Sequence, residues 1–169
     1  DPRGSVNVCV NLITPPIRND ADIGMIIMES DFFVPMSGSN IMCTVTVALE
    51  TGIVPMKEPE TVVRVDTPAG LVEVVAKCRD GKCKRVAFRN IASFVMHRDK
   101  TIEVPGVGSI RVDVAYGGMI YCLVESQDVD VGLSRDEARD LVELGERIKA
   151  AAAEQLPSIH PENAGIHTV

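Results

Sequence analysis

Tryptophan is absent, and two Tyr and four Phe are the only aromatic side chains in 169 residues. Proteins that hold nucleic acid use aromatic platforms for bases and basic patches for phosphates. This chain offers neither, because 17 Lys and Arg are set against 24 Asp and Glu, a formal charge of −7. Long apolar runs are missing too. The longest, Ile23 to Met28, is far short of the ~20 residues that a membrane-crossing helix needs. No charged stretch followed by an apolar one opens the chain, so export is not indicated. Five cysteines, an odd number spread along the sequence, do not form a secreted disulfide framework. A reducing, cytoplasmic compartment is therefore expected. His97, His160 and His167 share no ligand spacing with one another or with a Cys pair, so no metal site is expected. A surface or structural role suits His160 and His167 better than a place beside a site. Gly106-Val107-Gly108 lacks the third glycine of a dinucleotide loop, and neither a G-x-S-x-G elbow nor a phosphate-binding Lys motif is present.

What fills the chain is a series of short runs rich in Val and Ile: Val6 to Ile13, Ile23 to Met28, Thr61 to Asp66, Leu71 to Arg79, Lys82 to Phe88, Ile110 to Ala115 and Ile120 to Glu125. Half-buried strands have this composition. Asp80-Gly81 joins two of them as a type I′ hairpin, since both central positions need φ > 0 and these residues tolerate it. Gly106-Val107-Gly108 reads as a second hairpin turn.

Two segments read as helices. Ser134 with Glu137 three residues on makes a capping box, followed by Ala138, Leu141, Val142, Leu144, Gly145 and Ile148 at helical spacing, up to about Leu156 before Pro157. The other, Ile41 to Thr51, is apolar nearly all round, and its Thr44-Val45-Thr46-Val47 alternation would also suit a strand. Ser39 or Asn40 as N-cap and Gly52 at the C′ position favour a helix. A helix without a polar face must be buried. The expected class is α+β, with strands wrapped round one buried helix and a second helix outside. No repeat, low-complexity segment or Pro- and Ser-rich linker interrupts the sequence, so residues 1–169 read as a single lobe. The chain starts at Asp1 without an initiator Met and reads as a fragment.

Pro35-Met36-Ser37-Gly38-Ser39-Asn40 leads into the apolar helix. A helix N-terminus presents unpaired N–H groups and a partial positive charge, and small residues let an anion approach them. The segment is either a carboxylate or phosphate site or a plain N-cap and turn. Burial favours the first, because interior hydroxyls need partners. Cys78 and Cys83 flank the Asp80-Gly81 turn and should face one another as two reduced thiols. Cys9, Cys43 and Cys122 lie in apolar runs and read as small core residues.

The order of several motifs resembles the proline racemase family. Asp1-Pro2-Arg3-Gly4 is similar to its E-P-R-G, Met36-Ser37-Gly38-Ser39 stands where it has M-C-G-H, and Glu50-Thr51-Gly52 follows as in its E-T-G. Val104-Pro105-Gly106-Val107-Gly108 resembles V-P-G-x-G, Val112-Asp113-Val114-Ala115-Tyr116-Gly117-Gly118 resembles V-D-x-A-Y-G-G, and Ile159-His160-Pro161-Glu162-Asn163 contains its H-P-E-N. The resemblance implies a diaminopimelate-epimerase-like fold of two pseudo-symmetric lobes with the active site between them. Each lobe would offer one acid/base residue at a helix N-terminus, and the substrate carboxylate would rest on backbone amides. It implies a proline or hydroxyproline substrate, no cofactor and a second lobe as partner, and leaves a homodimer open.

By motif match Ser37 is the catalytic position and Gly38 and Ser39 contribute to the carboxylate cradle, to which the helix N-terminus adds the N–H of Asn40. Two departures matter: Ser37 replaces the family cysteine and Ser39 its histidine. A serine hydroxyl is a far weaker acid than a thiol, which puts two-base racemisation of proline in doubt. The pattern resembles the Ser/Cys branch associated with 4-hydroxyproline epimerisation and trans-3-hydroxyproline dehydration. A non-catalytic imino-acid-binding member is the alternative. Met119, where many members carry Asn, would reshape the substrate pocket.

Overall fold

The computed structural model of the chain describes residues 9–29 and 32–167. The Asp1-Pro2-Arg3-Gly4 motif and the start of the first expected strand lie outside the described residues. The chain divides into two compact units, Asp1–Ala92 and Ser93–Val169. No linker composition marks Ala92 and Ser93, which is why the sequence reads as one lobe. The division follows instead from which strands pair.

The first unit is a six-stranded sheet carrying one helix. β1 (Val10–Thr14), β2 (Ile23–Met28), β4 (Glu60–Thr67), β5 (Gly70–Arg79) and β6 (Lys82–Arg89) lie in that order, and β3 (Phe33–Val34) pairs with β2. Among the described residues β2 and β4 form the one parallel pair, and β2 is buried along nearly its whole length. That accounts for its unbroken apolar run, since a strand covered on both faces has no polar side to alternate with. In β4 the alternation is clean: Thr61, Val63, Val65 and Thr67 point inward. β6 is the edge strand, and its Lys82, Lys84, Arg85 and Arg89 are exposed, as charged edges that resist further pairing should be. Asp80 (φ 57°) and Gly81 (φ 67°) form the expected turn between β5 and β6.

α1 (Gly38–Glu50) packs against β1, β5 and β6 through Ile41, Thr44, Val45, Ala48 and Leu49. Full burial of each aliphatic side chain on this face contributes about 1.5–3 kcal/mol. Gly52 (φ 77°) ends the helix as expected. Burial is one-sided, for Met42, Cys43 and Val47 on the opposite face are exposed. Cys43, and Cys9 ahead of β1, are therefore surface thiols and not the core residues their apolar neighbours suggest.

The second unit is an antiparallel meander, β7 (Phe94–Val104), β8 (Gly108–Tyr116) and β9 (Ile120–Leu123), with α2 (Ala138–Gln155) laid on it. Leu144, Ile148, Ala151 and Ala152 meet Ile102, Val104, Ile110 and Val112, and the half-buried Cys122 packs at the margin. Val142 falls off that stripe and is exposed. Gln155 fixes the end of the helix, accepting from Glu103 N–H at 2.9 Å and donating to its carbonyl at 2.8 Å. A short 3-10 turn, Arg135–Glu137, precedes α2, and the capping box takes a different form. Glu137 accepts from the Ser134 hydroxyl and from Gly132 N–H, while Ser134 makes no side-chain cap. A two-stranded ribbon, β10 (Ile159–His160) and β11 (Asn163–His167), completes the unit. Among the described residues no helix is long and apolar enough to cross a membrane.

Candidate functional site

Ser37 is the N-cap of α1, with extended angles (φ −144°, ψ 126°), and its carbonyl accepts the first bond of the helix, from Ile41 N–H at 3.0 Å. The helix therefore begins three residues ahead of the expected Ile41, and Ser39 and Asn40 lie in its first turn. Small polar residues are tolerated there, because the first turn makes no backbone bonds of its own. The N–H groups of Gly38, Ser39 and Asn40 precede the hydrogen-bond ladder and share the partial positive charge of the helix end.

A serine at the cap ordinarily accepts from a backbone N–H two or three residues on. Ser37 makes no such bond. Its Oγ accepts instead from Asn40 Nδ2 at 2.9 Å and lies 3.5 Å from Ser39 Oγ. Ser37, Gly38 and Asn40 are half-buried, and Ser39 is exposed. The four expected residues thus form one cluster with backbone donors suited to a carboxylate and a hydroxyl held beside them.

One neighbour escaped the sequence reading. The ring of Phe88 on β6 packs over Gly38, where an added Cβ would stand 3.0 Å from Phe88 Cζ. A side chain at position 38 would press on that ring. Only the placement of β6 beside α1 brings the two together, so no local pattern announces it.

At the far end of α1, Glu50 accepts from Lys82 Nζ at 2.7 Å and from Cys83 N–H at 2.9 Å, which together hold its carboxyl below the usual range. Cys78 and Cys83 face one another across the hairpin as free thiols, Sγ to Sγ 3.9 Å. Burial first, then the neighbouring Cys78 thiol, pushes Cys83 up to about 11. In the second unit His160 accepts from Glu162 N–H at Nδ1 (3.2 Å) and stands edge-on to Tyr116, ring centroids 4.6 Å apart, and to Phe94. It has the packing role expected of it. Met119 accepts from the Tyr121 hydroxyl at Sδ (3.5 Å) in the turn between β8 and β9.

The sequence model of the family described as proline racemase matches residues 1–169. The chain belongs to the proline racemase family. Two solved structures of that family match its whole length. One is a probable proline racemase from Agrobacterium radiobacter with bound carbonate, 41% identical with a TM-score of 0.92, of which 50% is covered. The other is a hydroxyproline epimerase from Agrobacterium vitis with bound trans-4-hydroxy-L-proline, 40% identical with a TM-score of 0.92, of which 49% is covered. A methylitaconate-Δ-isomerase, 20% identical over 86% of this chain and 47% of its own, shares the fold with a TM-score of 0.51. The chain thus spans about half the length of the relatives it matches. The α+β class, strand-rich with two helices, is the one the motifs implied.

Proposed function

We propose that this chain is the half of a cofactor-independent isomerase that carries its first catalytic position, Ser37, and that the enzyme works at the α-carbon of proline or a hydroxyproline. The observation that supports this reading best is Ser37 itself. It sits at the cap of a helix whose first N–H groups remain outside the ladder, its hydroxyl is diverted from capping, and its motif neighbours are in place. The carboxylate of an imino acid would accept from the amides of Gly38, Ser39 and Asn40, where the helix end favours negative charge.

Epimerisation then needs a base on one face of the α-carbon and a proton donor on the other. A serine hydroxyl stays protonated near neutral pH, so the donor's role is the one open to it without a base of its own, and the working base belongs to the half of the protein outside these residues. The base removes the α-proton, Ser37 delivers its own to the opposite face, and exchange with solvent takes the proton from the base and restores the serine hydroxyl. Dehydration of 3-hydroxyproline asks less of Ser37: the base removes the α-proton and passes it to the 3-hydroxyl, which departs as water. Four-hydroxyproline epimerisation, with or without that dehydration, is the activity this division of labour favours.

The test is deuterium incorporation at the α-carbon of each substrate isomer, followed by NMR in the full-length protein. Ser37→Ala should abolish most epimerisation yet keep exchange from one face and some dehydration. Ser37→Cys should raise epimerase activity, because a thiol is more easily poised near neutral pH. Wild-type exchange and turnover from both faces in Ser37→Ala would make Ser37 a packing residue. Binding of imino acid without exchange in the wild type would favour a binding protein.

A further inference from the structure

We infer that Asn40 is a positioning residue for Ser37: its side-chain amide takes over the bond that its own backbone amide would otherwise make to the serine, so one residue both orients the hydroxyl and frees an amide for the substrate carboxylate. The inference deepens the proposed function and rests on it, since orienting Ser37 matters only if Ser37 handles the proton.

The argument starts from cap geometry. With Ser37 at the N-cap, Asn40 is the third residue of the helix, the position whose backbone N–H a capping serine reaches for. Were that bond made, the serine oxygen would be turned onto the helix end and one of the three amides of the cradle would be spent. Ser37 makes no such cap, and its Oγ accepts from Asn40 Nδ2 at 2.9 Å. A hydroxyl has one proton and two acceptor lone pairs. With one lone pair occupied by an amide donor, the proton is directed away from Asn40, toward Ser39 Oγ at 3.5 Å or a substrate. The same donor eases the negative charge that appears on Oγ once the proton has left, because a hydrogen bond to the charged form favours it. Asn40 is half-buried, so the bond is partly shielded from competing water. Asn40 directly follows the Met36–Ser39 motif, and the task of its carboxamide is internal: it touches Ser37, and the carboxylate takes the backbone.

The consequence is a coupling that a purely structural or purely substrate-binding residue would not show. In Asn40→Ala the serine should fall back onto the backbone amide of residue 40, losing its donor orientation and withdrawing an amide from the carboxylate. Removing the serine as well should release that amide. The experiment is a cycle in the full-length protein of wild type, Ser37→Ala, Asn40→Ala and the double variant. It reads kcat, KM and, by calorimetry, the apparent Kd for trans-4-hydroxy-L-proline, with circular dichroism to establish folding. We expect Asn40→Ala to lower kcat about tenfold and to raise KM and Kd severalfold. The double variant should return to the Kd of Ser37→Ala and turn over no more slowly than it. Asn40→Asp, nearly isosteric but without a donor when ionised, should lose kcat as the alanine does and guards against a folding defect. A Kd penalty for Asn40→Ala that persists undiminished without Ser37, or an Asn40→Asp enzyme with wild-type kcat, would overturn the inference. Wild-type turnover by Ser37→Ala would instead overturn the proposed function, so the two failures are separable.

Discussion

At the scale of single residues, the cap of α1 is governed by a steric fact and a polar one. The polar fact is the diversion of Ser37. The steric fact is Gly38, where an added Cβ would stand 3.0 Å from Phe88 Cζ, so the ring would have to give by a few tenths of an ångström. A glycine in a helix costs about 0.5–1 kcal/mol relative to alanine, so Gly38→Ala by itself gains helix stability and loses it again by pushing the ring aside. The net change in unfolding free energy should be near zero. With the ring removed, the penalty goes and the gain remains. In a Phe88→Ala background, Gly38→Ala should therefore stabilise by up to about 0.5–1 kcal/mol, measured by urea unfolding. Equal effects in both backgrounds would show that the ring does not restrain this position.

At the scale of elements, α1 is tied at its C-terminal end as well as packed along one face. Glu50 clasps the turn between β5 and β6 through Lys82 and Cys83 N–H. Its carboxyl is held below the ordinary range by these partners, the Lys82 bond first. A depressed folded-state pKa adds stability that is present above the unfolded value and is lost as pH falls through the folded one. The clasp should therefore be intact at neutral pH and fail on acidification below the ordinary glutamate range. Glu50→Gln should lower the urea midpoint at pH 7 and narrow the gap to wild type as the pH approaches 3. A constant gap between pH 7 and 3 would assign the loss to packing.

Elements also differ in how plainly the sequence announces them. β4, β5 and β8 are legible because one face is buried and the alternation of their residues says so. β7 is not. His97-Arg98-Asp99-Lys100 interrupts its pattern, and the structure shows why: the register slips twice between Val95 and Lys100, with Asp99 at φ 53°. A bulge re-aims side chains and breaks the period on which the reading depends. The site was legible as a cluster, since Ser37 to Asn40 are adjacent in sequence. Its polarity was not, because whether a serine caps its helix or turns to a neighbouring carboxamide is decided by rotamers. α1 starts three residues before the expected Ile41 because Ser39 and Asn40, which read as caps, occupy its first turn.

At the scale of the whole molecule, the net charge of −7 gives no general attraction for a carboxylate, so binding must be won locally by the amides at the cap of α1. On the proposed function, that local site would hold one of the two groups that inversion at a carbon requires. Proton removal and proton delivery take place on opposite faces, and one serine cannot serve both within a turnover. The chain spans about half the length of its solved relatives, and the resemblance places the facing group in the other lobe. The 169-residue chain by itself should therefore fold its two compact units yet turn over neither proline nor 4-hydroxyproline, while the full-length protein does so under the same conditions. Polarimetry with both preparations at equal concentration decides it. A rate of ~1 s⁻¹ or more from the isolated chain, within the ordinary range for enzymes, would mean that both acid/base groups lie within these residues and that Ser37 is not half of a divided pair.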